Sequence, residues 1–116
     1  MPERKDMDYI RDIQEAISRI LLYTEGMNYT SFSNDIKTQD AVIRNLEILG
    51  EAAKNISIDL RSGFTDVPWK SMTGIRDRLI HHYFGVNLNI VWQVCVDELP
   101  KVQKALEILQ GKKNEE

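Results

Sequence analysis

The chain has one cysteine, Cys95, so no disulfide can form within it, and a reducing cytoplasm is the expected setting. Cys95 lies in the apolar run Val94-Cys95-Val96 with no basic group nearby in sequence, which fits a buried structural thiol better than a nucleophile. No apolar run approaches the roughly 20 residues that span a bilayer, so no membrane association is expected. The charged start, Arg4-Lys5-Asp6, has no apolar stretch behind it of the kind a secretory signal carries. A Gly-rich phosphate loop, an internal repeat and strand-like alternation are missing too. So is any excess of positive charge. The formal net charge is -3, which is poor support for a protein that coats nucleic acid without specificity.

What the chain does have is helical periodicity. Its 116 residues are enough for a single core, and 42% hydrophobic with 28% charged residues is a globular balance. From Arg4 to about Thr24, the residues Met7, Ile10, Ile13, Ile17, Ile20 and Leu21 recur at threes and fours, and Gly26 ends that helix. Residues 28–34 are rich in Ser, Thr and Asn and read as a loop from which Tyr29 and Phe32 tuck inward. A second helix runs from Asn34 or Asp35 to about Ile58. Its wide stripe of Val42, Leu46, Leu49, Ala53 and Ile56 suits burial on two sides. Gly50 inside it costs roughly 1 kcal/mol relative to Ala, and a close helix–helix approach is the usual reason. Arg44, Glu47 and Glu51 read as surface pairs on that helix.

Residues 59–67 read as a connection. A helix then spans Pro68 to Phe84, with Asp66 as its cap and Gly85 as its stop. Asn87 or Asn89 caps a last helix, which Pro100 must bend or restart before its stripe continues to Gly111. The expected architecture is all-α, an antiparallel bundle of four to five helices: one domain over 1–111 and a charged tail over 112–116.

The segment 68–84 gathers the chemistry. It holds both histidines, Arg76, Arg78, Trp69 and Tyr83, and carries three cations against Asp77 alone on an otherwise acidic chain. A small positive spot on an acidic body suits a phosphate at one site. Asp77 and His81 are i,i+4 neighbours, so the carboxylate can fix the imidazole tautomer. Arg76 and Tyr83, seven apart, share a face. Arg76 and His81 stand roughly 140° apart on an ideal helix, so a long side chain, a loosened turn or a second protomer has to bring them together. Arg78 and His82 form a rival pair, and geometry alone leaves the choice open. His81 and His82, being adjacent, point about 100° apart, which is poor geometry for a shared metal.

Arg44-Asn45-Leu46-Glu47-Ile48-Leu49-Gly50-Glu51-Ala52-Ala53, then Pro68-Trp69, then Gly74-Ile75-Arg76-Asp77-Arg78-Leu79-Ile80-His81-His82-Tyr83, and finally Asp97-Glu98-Leu99-Pro100 together resemble HEPN-domain proteins of the HepT type. These are the toxin halves of HepT–MntA toxin–antitoxin pairs. The family signature is an arginine, four intervening residues, a histidine, one residue and a tyrosine. Arg76, His81 and Tyr83 match it. The resemblance, not the geometry, selects Arg76 over Arg78 and His81 over His82. It implies a homodimeric helical-bundle endoribonuclease that works without metal or cofactor, with Arg76 and His81 catalytic and Asp77 supporting. It also implies a partner, an MntA-type nucleotidyltransferase antitoxin that transfers AMP to Tyr83. The alternative is a non-catalytic module that binds a nucleotide or partners a nucleotidyltransferase.

Overall fold

A computed structural model of the chain describes residues 4–79 and 85–115, and every element among them is a helix. The first long helix, α1 (Asp6–Thr24), buries Ile10, Ile13, Ile17 and Ile20 on one face and carries its charges on the other. After Gly26, whose φ of 76° needs a glycine, a single short helix α2 (Tyr29–Ser33) replaces the expected loop. Asn28 and Ser31 form a reciprocal capping box around its first turn, which is why a Ser/Asn-rich stretch becomes helical. Phe32 is fully buried from α2, with its ring 5.1 Å from that of Trp92.

The second long helix, α3 (Ile36–Lys54), starts on an Asp35 cap and buries Val42, Leu46, Leu49 and Ala53. It runs antiparallel to α1. Asp6, at the start of α1, accepts hydrogen bonds from the Ser57 N–H (2.9 Å) and hydroxyl (2.6 Å) just past the end of α3. The helix ends at Lys54, four residues short of the expected Ile58, because Arg61 gathers its last carbonyls. The Arg61 guanidinium donates to the oxygens of Ala53, Lys54 and Ile56 at 3.0–3.1 Å. Arg61 reaches them from α4 (Ile58–Gly63), a short helix with Ser57 as its cap, in what reads from sequence as a connection.

The segment from Pro68 is not one helix but two, α5 (Trp69–Thr73) and α6 (Ile75–Leu79), separated at Gly74. Pro68, not Asp66, stands at the N-cap, and no side chain caps it. The Trp69 indole N–H donates to the Phe64 carbonyl at 3.0 Å, anchoring α5. Ile75 and Leu79 turn inward from α6. The Asn87 N–H donates to the Leu79 carbonyl at 2.8 Å, and the Asn87 side chain caps α7 (Leu88–Gln93).

From Leu88 the chain stays helical to Asn114. A π-helical turn (Val94–Glu98) links α7 to α8 (Leu99–Asn114), with the Leu99 N–H reaching back to the Val94 carbonyl. Pro100 has no N–H to give Val96, and its ring crowds that carbonyl. The widened turn immediately before it absorbs both problems without ending the helix. Leu99, Val102, Leu106 and Leu109 complete the core, and a Gln14–Gln110 hydrogen bond of 3.1 Å links α1 to α8. The architecture is all-α. No helix among the described residues is long and apolar enough to cross a membrane.

Candidate active site

Gly50 positions the site. Both it and Ile75 are buried where α3 meets α6, and a Cβ built on Gly50 would stand 3.0 Å from Ile75 Cγ2 and 3.4 Å from the Met72 carbonyl. With a Cβ at this position Ile75 would have to give by a few tenths of an ångström, so the bare backbone suits the close approach of α6 to α3. Ile75 packs inward there, and its neighbour Arg76 is carried to the rim of a cleft of about 380 Å³. The start of α1 and the C-terminal half of α3 form the other walls. The close approach expected at Gly50 is therefore present, and it places the arginine picked out by the sequence.

The two candidate arginines separate cleanly. Arg78 is fastened: its guanidinium donates to both carboxylate oxygens of Glu98, at 2.9 and 2.6 Å, and to the Ser71 hydroxyl at 2.9 Å. This clamp ties α6 to the π turn. Arg76 makes no hydrogen bond or ion pair among the described residues and lines the cleft. A cation without a counter-ion on a cleft wall is available to an anionic ligand, whereas a bidentate pair is already satisfied. Asp77 is exposed and is not part of the cleft wall. His81, His82 and Tyr83 lie outside the described residues, so the Asp77–His81 and Arg76–Tyr83 pairings do too.

Several cleft residues are not candidate site residues in the sequence. Arg4 pairs with Asp12 at 2.7 Å and lies over the Tyr9 ring, 4.7 Å from its centroid. Arg44 approaches Glu47 at 4.0 Å, the surface pair expected on α3. Glu51, Lys54 and Asn55 complete that wall. Their presence beside Arg76 follows from the antiparallel packing of α1 on α3, which joins positions tens of residues apart. From sequence Glu51 reads as a surface charge within the stretch that resembles the family, and Lys54 gives no signal.

The clamp shifts both of its partners. Its hydrogen bond to Arg78 holds the Glu98 carboxyl below its ordinary value of 4.5 against the opposing effect of burial, and the same bond raises Arg78. A depressed carboxyl stabilises the fold at pH values above its unfolded pKa, and that stabilisation disappears as pH falls through the folded pKa. Both side chains are more than a third exposed (38% and 36%), so the pair contributes no more than about 1 kcal/mol. The Glu98→Gln variant is therefore expected to be slightly less stable than wild type near neutrality. Urea titrations across a pH series should show that gap closing below about pH 4.5. Burial pushes the Cys95 thiol up to about 12, which makes it an inert core group. Among the described residues, no three His, Cys, Asp or Glu side chains are grouped to hold a metal ion.

Comparison with known proteins fits this arrangement. Residues 13–109 match the family described as "Ribonuclease HepT-like". The chain is 42% identical over 107 residues to "Putative RNase MJ0127" of Methanocaldococcus jannaschii, covering 92% of this chain and 88% of that one. It is also 42% identical over 108 residues to "Probable ribonuclease HepT" of Thermococcus cleftensis, covering 93% of this chain and 98% of the relative. No solved structure gives a significant match. With the family matched across nearly the whole bundle and Arg76 set into the cleft wall, this chain belongs to the HepT-like ribonuclease family.

Proposed function

We propose that this protein is a cytoplasmic endoribonuclease toxin that cuts RNA by transesterification at Arg76 and His81, without metal or cofactor. The observation that carries this reading is the contrast between the two arginines, with Arg76 on the cleft wall and unpaired among the described residues, and Arg78 clamped to Glu98. In the proposed reaction, His81 takes the proton of a ribose 2′-hydroxyl and the 2′-oxygen bonds to the adjacent phosphorus. The bond to the 5′-oxygen then breaks, and that oxygen leaves with a proton. An imidazole titrating near neutrality can serve both proton transfers, contributing on the order of 10²–10⁴-fold. The planar, permanently charged guanidinium of Arg76 holds two phosphoryl oxygens as negative charge builds on them. Asp77 orients His81.

The protein acts as a homodimer, whose two-fold axis brings an arginine and a histidine together from opposite protomers where ideal helical spacing would set them apart. Control falls to an MntA-type nucleotidyltransferase antitoxin. The Tyr83 hydroxyl attacks the α-phosphorus of ATP, pyrophosphate leaves, and the AMP left on Tyr83 blocks RNA and occupies Arg76.

The test is incubation of the purified protein with tRNA or mRNA in EDTA, beside His81→Ala and Arg76→Ala variants. Cleavage by wild type that is lost in both variants is the expected result. If unmodified wild type cuts nothing, the chain is a non-catalytic binding module. Mass spectrometry of the chain after incubation with its nucleotidyltransferase and ATP should find AMP on Tyr83; an unchanged tyrosine removes the control mechanism.

A further inference from the structure

We infer that the cleft contains a ribose-reading subsite in which Glu51 accepts the 2′-hydroxyl of a single-stranded RNA nucleotide while Lys54 and Arg76 hold its flanking phosphates. This rests on the ribonuclease reading above and assigns how that site tells RNA from DNA.

The charges of the cleft lead to it. Asp12 is neutralised by Arg4 at 2.7 Å, and Glu47 faces Arg44 at 4.0 Å. Lys54, Arg76 and Glu51 are left, and none has an ion-pair partner among the described residues. Glu51 and Lys54 sit three apart on α3, a spacing that permits an ion pair, yet none forms. Two cations in one cleft, unpaired among the described residues, suit two phosphates of a strand. A carboxylate lining the same cleft repels phosphate unless it faces a donor on the same ligand. RNA supplies one that DNA lacks, the 2′-hydroxyl.

A base edge is the competing donor, and the aromatic lining argues against it. The cleft offers Tyr9, and the Arg4 guanidinium already covers a face of that ring at 4.7 Å. Base-reading sites on single strands depend on open aromatic faces for stacking. This cleft instead presents the charged groups Glu51, Lys54 and Arg76, a lining that suits a sugar–phosphate backbone. The Asn55 amide nitrogen donates to the Glu51 main-chain oxygen at 2.9 Å.

The experiment compares single-stranded RNA and DNA oligonucleotides of one sequence, labelled with fluorescein, by anisotropy over a salt series. His81→Ala serves as the uncut background. In that background RNA is expected to bind about tenfold tighter than DNA, the scale of a hydrogen bond to a charged acceptor. Adding Glu51→Ala should shrink the preference to less than about twofold without weakening DNA, while Glu51→Gln, which keeps an acceptor oxygen, retains part of it. Adding Lys54→Gln should weaken RNA and DNA alike and flatten the salt slope by about 0.7, the loss of one phosphate contact on a single strand. Full RNA preference in Glu51→Ala, or unchanged affinity and slope in Lys54→Gln, overturns the subsite. The two readings fail separately. Cleavage by the His81-intact chain together with an unchanged preference in Glu51→Ala removes the subsite alone. A collapsed preference in a chain that cuts nothing removes the ribonuclease reading alone. Glu51 and Lys54 are exposed, so circular dichroism should find that their substitutions leave the His81→Ala background folded.

Discussion

Arg76→Ala is expected to slow RNA cleavage by about 10²–10³-fold, the usual cost of removing one preorganised donor to a developing oxyanion. Its melting temperature should stay within a degree or so of wild type, because surface residues without partners contribute little to stability. The physical basis is the absence of any counter-ion for Arg76 among the described residues. No described residue loses a hydrogen bond or ion pair when it goes. Arg78→Ala should show the opposite pattern: a loss of up to about 1 kcal/mol in urea titration and a smaller effect on rate, because Glu98 and Ser71 lose their donor. Arg76→Lys should fall between wild type and alanine, keeping charge and losing the two-pronged geometry. If Arg78→Ala abolished cleavage and Arg76→Ala did not, the roles assigned to the two arginines would be reversed.

Gly50→Val should damage both stability and activity. Its Cβ would meet Ile75 Cγ2 at 3.0 Å and the Met72 carbonyl at 3.4 Å, and the two further methyls add volume to a contact that is already tight. Overpacking of this kind costs about 1–3 kcal/mol. Ile75 adjoins Arg76, so pushing one off α3 displaces the other, and a misplacement of about 1 Å can cost on the order of 10²-fold in rate. Gly50→Ala is the informative companion. It gains roughly 1 kcal/mol of helix propensity against a single tight contact, so its stability should lie near wild type while its rate still falls. Thermal melts and cleavage rates taken well below the melting transition separate the two effects. A Gly50→Val variant that melts lower but cuts at the wild-type rate would show that α6 is not positioned by this contact.

Gly50 also shows what a single sequence reveals. A glycine in the middle of an apolar stripe has few explanations other than close packing, and the contact with Ile75 is the one it implied. The long helices were equally legible, since the isoleucines of α1 and the leucines of α3 recur at helical spacing and are buried as that spacing requires. Pro100 announced a disturbance, which the structure resolves as a π turn. Features built from distant residues were not legible. Arg61 ends α3 by capturing three carbonyls, and nothing in residues 59–67 signals that. The break at Gly74 could not be told from a tolerated helical glycine. In the site, the motif arginine was visible, but the wall contributed by Arg4, Tyr9, Glu51 and Lys54 depends on the packing of α1 against α3. Arg78's partner Glu98 is twenty residues away across the π turn, so local spacing left two arginines as rivals that the fold distinguishes.

The chemistry of the cut ends tests the central claim most directly. RNA digested by the purified protein in EDTA should carry 2′,3′-cyclic phosphate and 5′-hydroxyl ends, and an oligonucleotide with a single 2′-deoxy sugar at the cut position should survive there. Products with 3′-hydroxyl and 5′-phosphate ends, or cutting at the deoxy position, would contradict attack by the strand's own 2′-hydroxyl at Arg76 and His81.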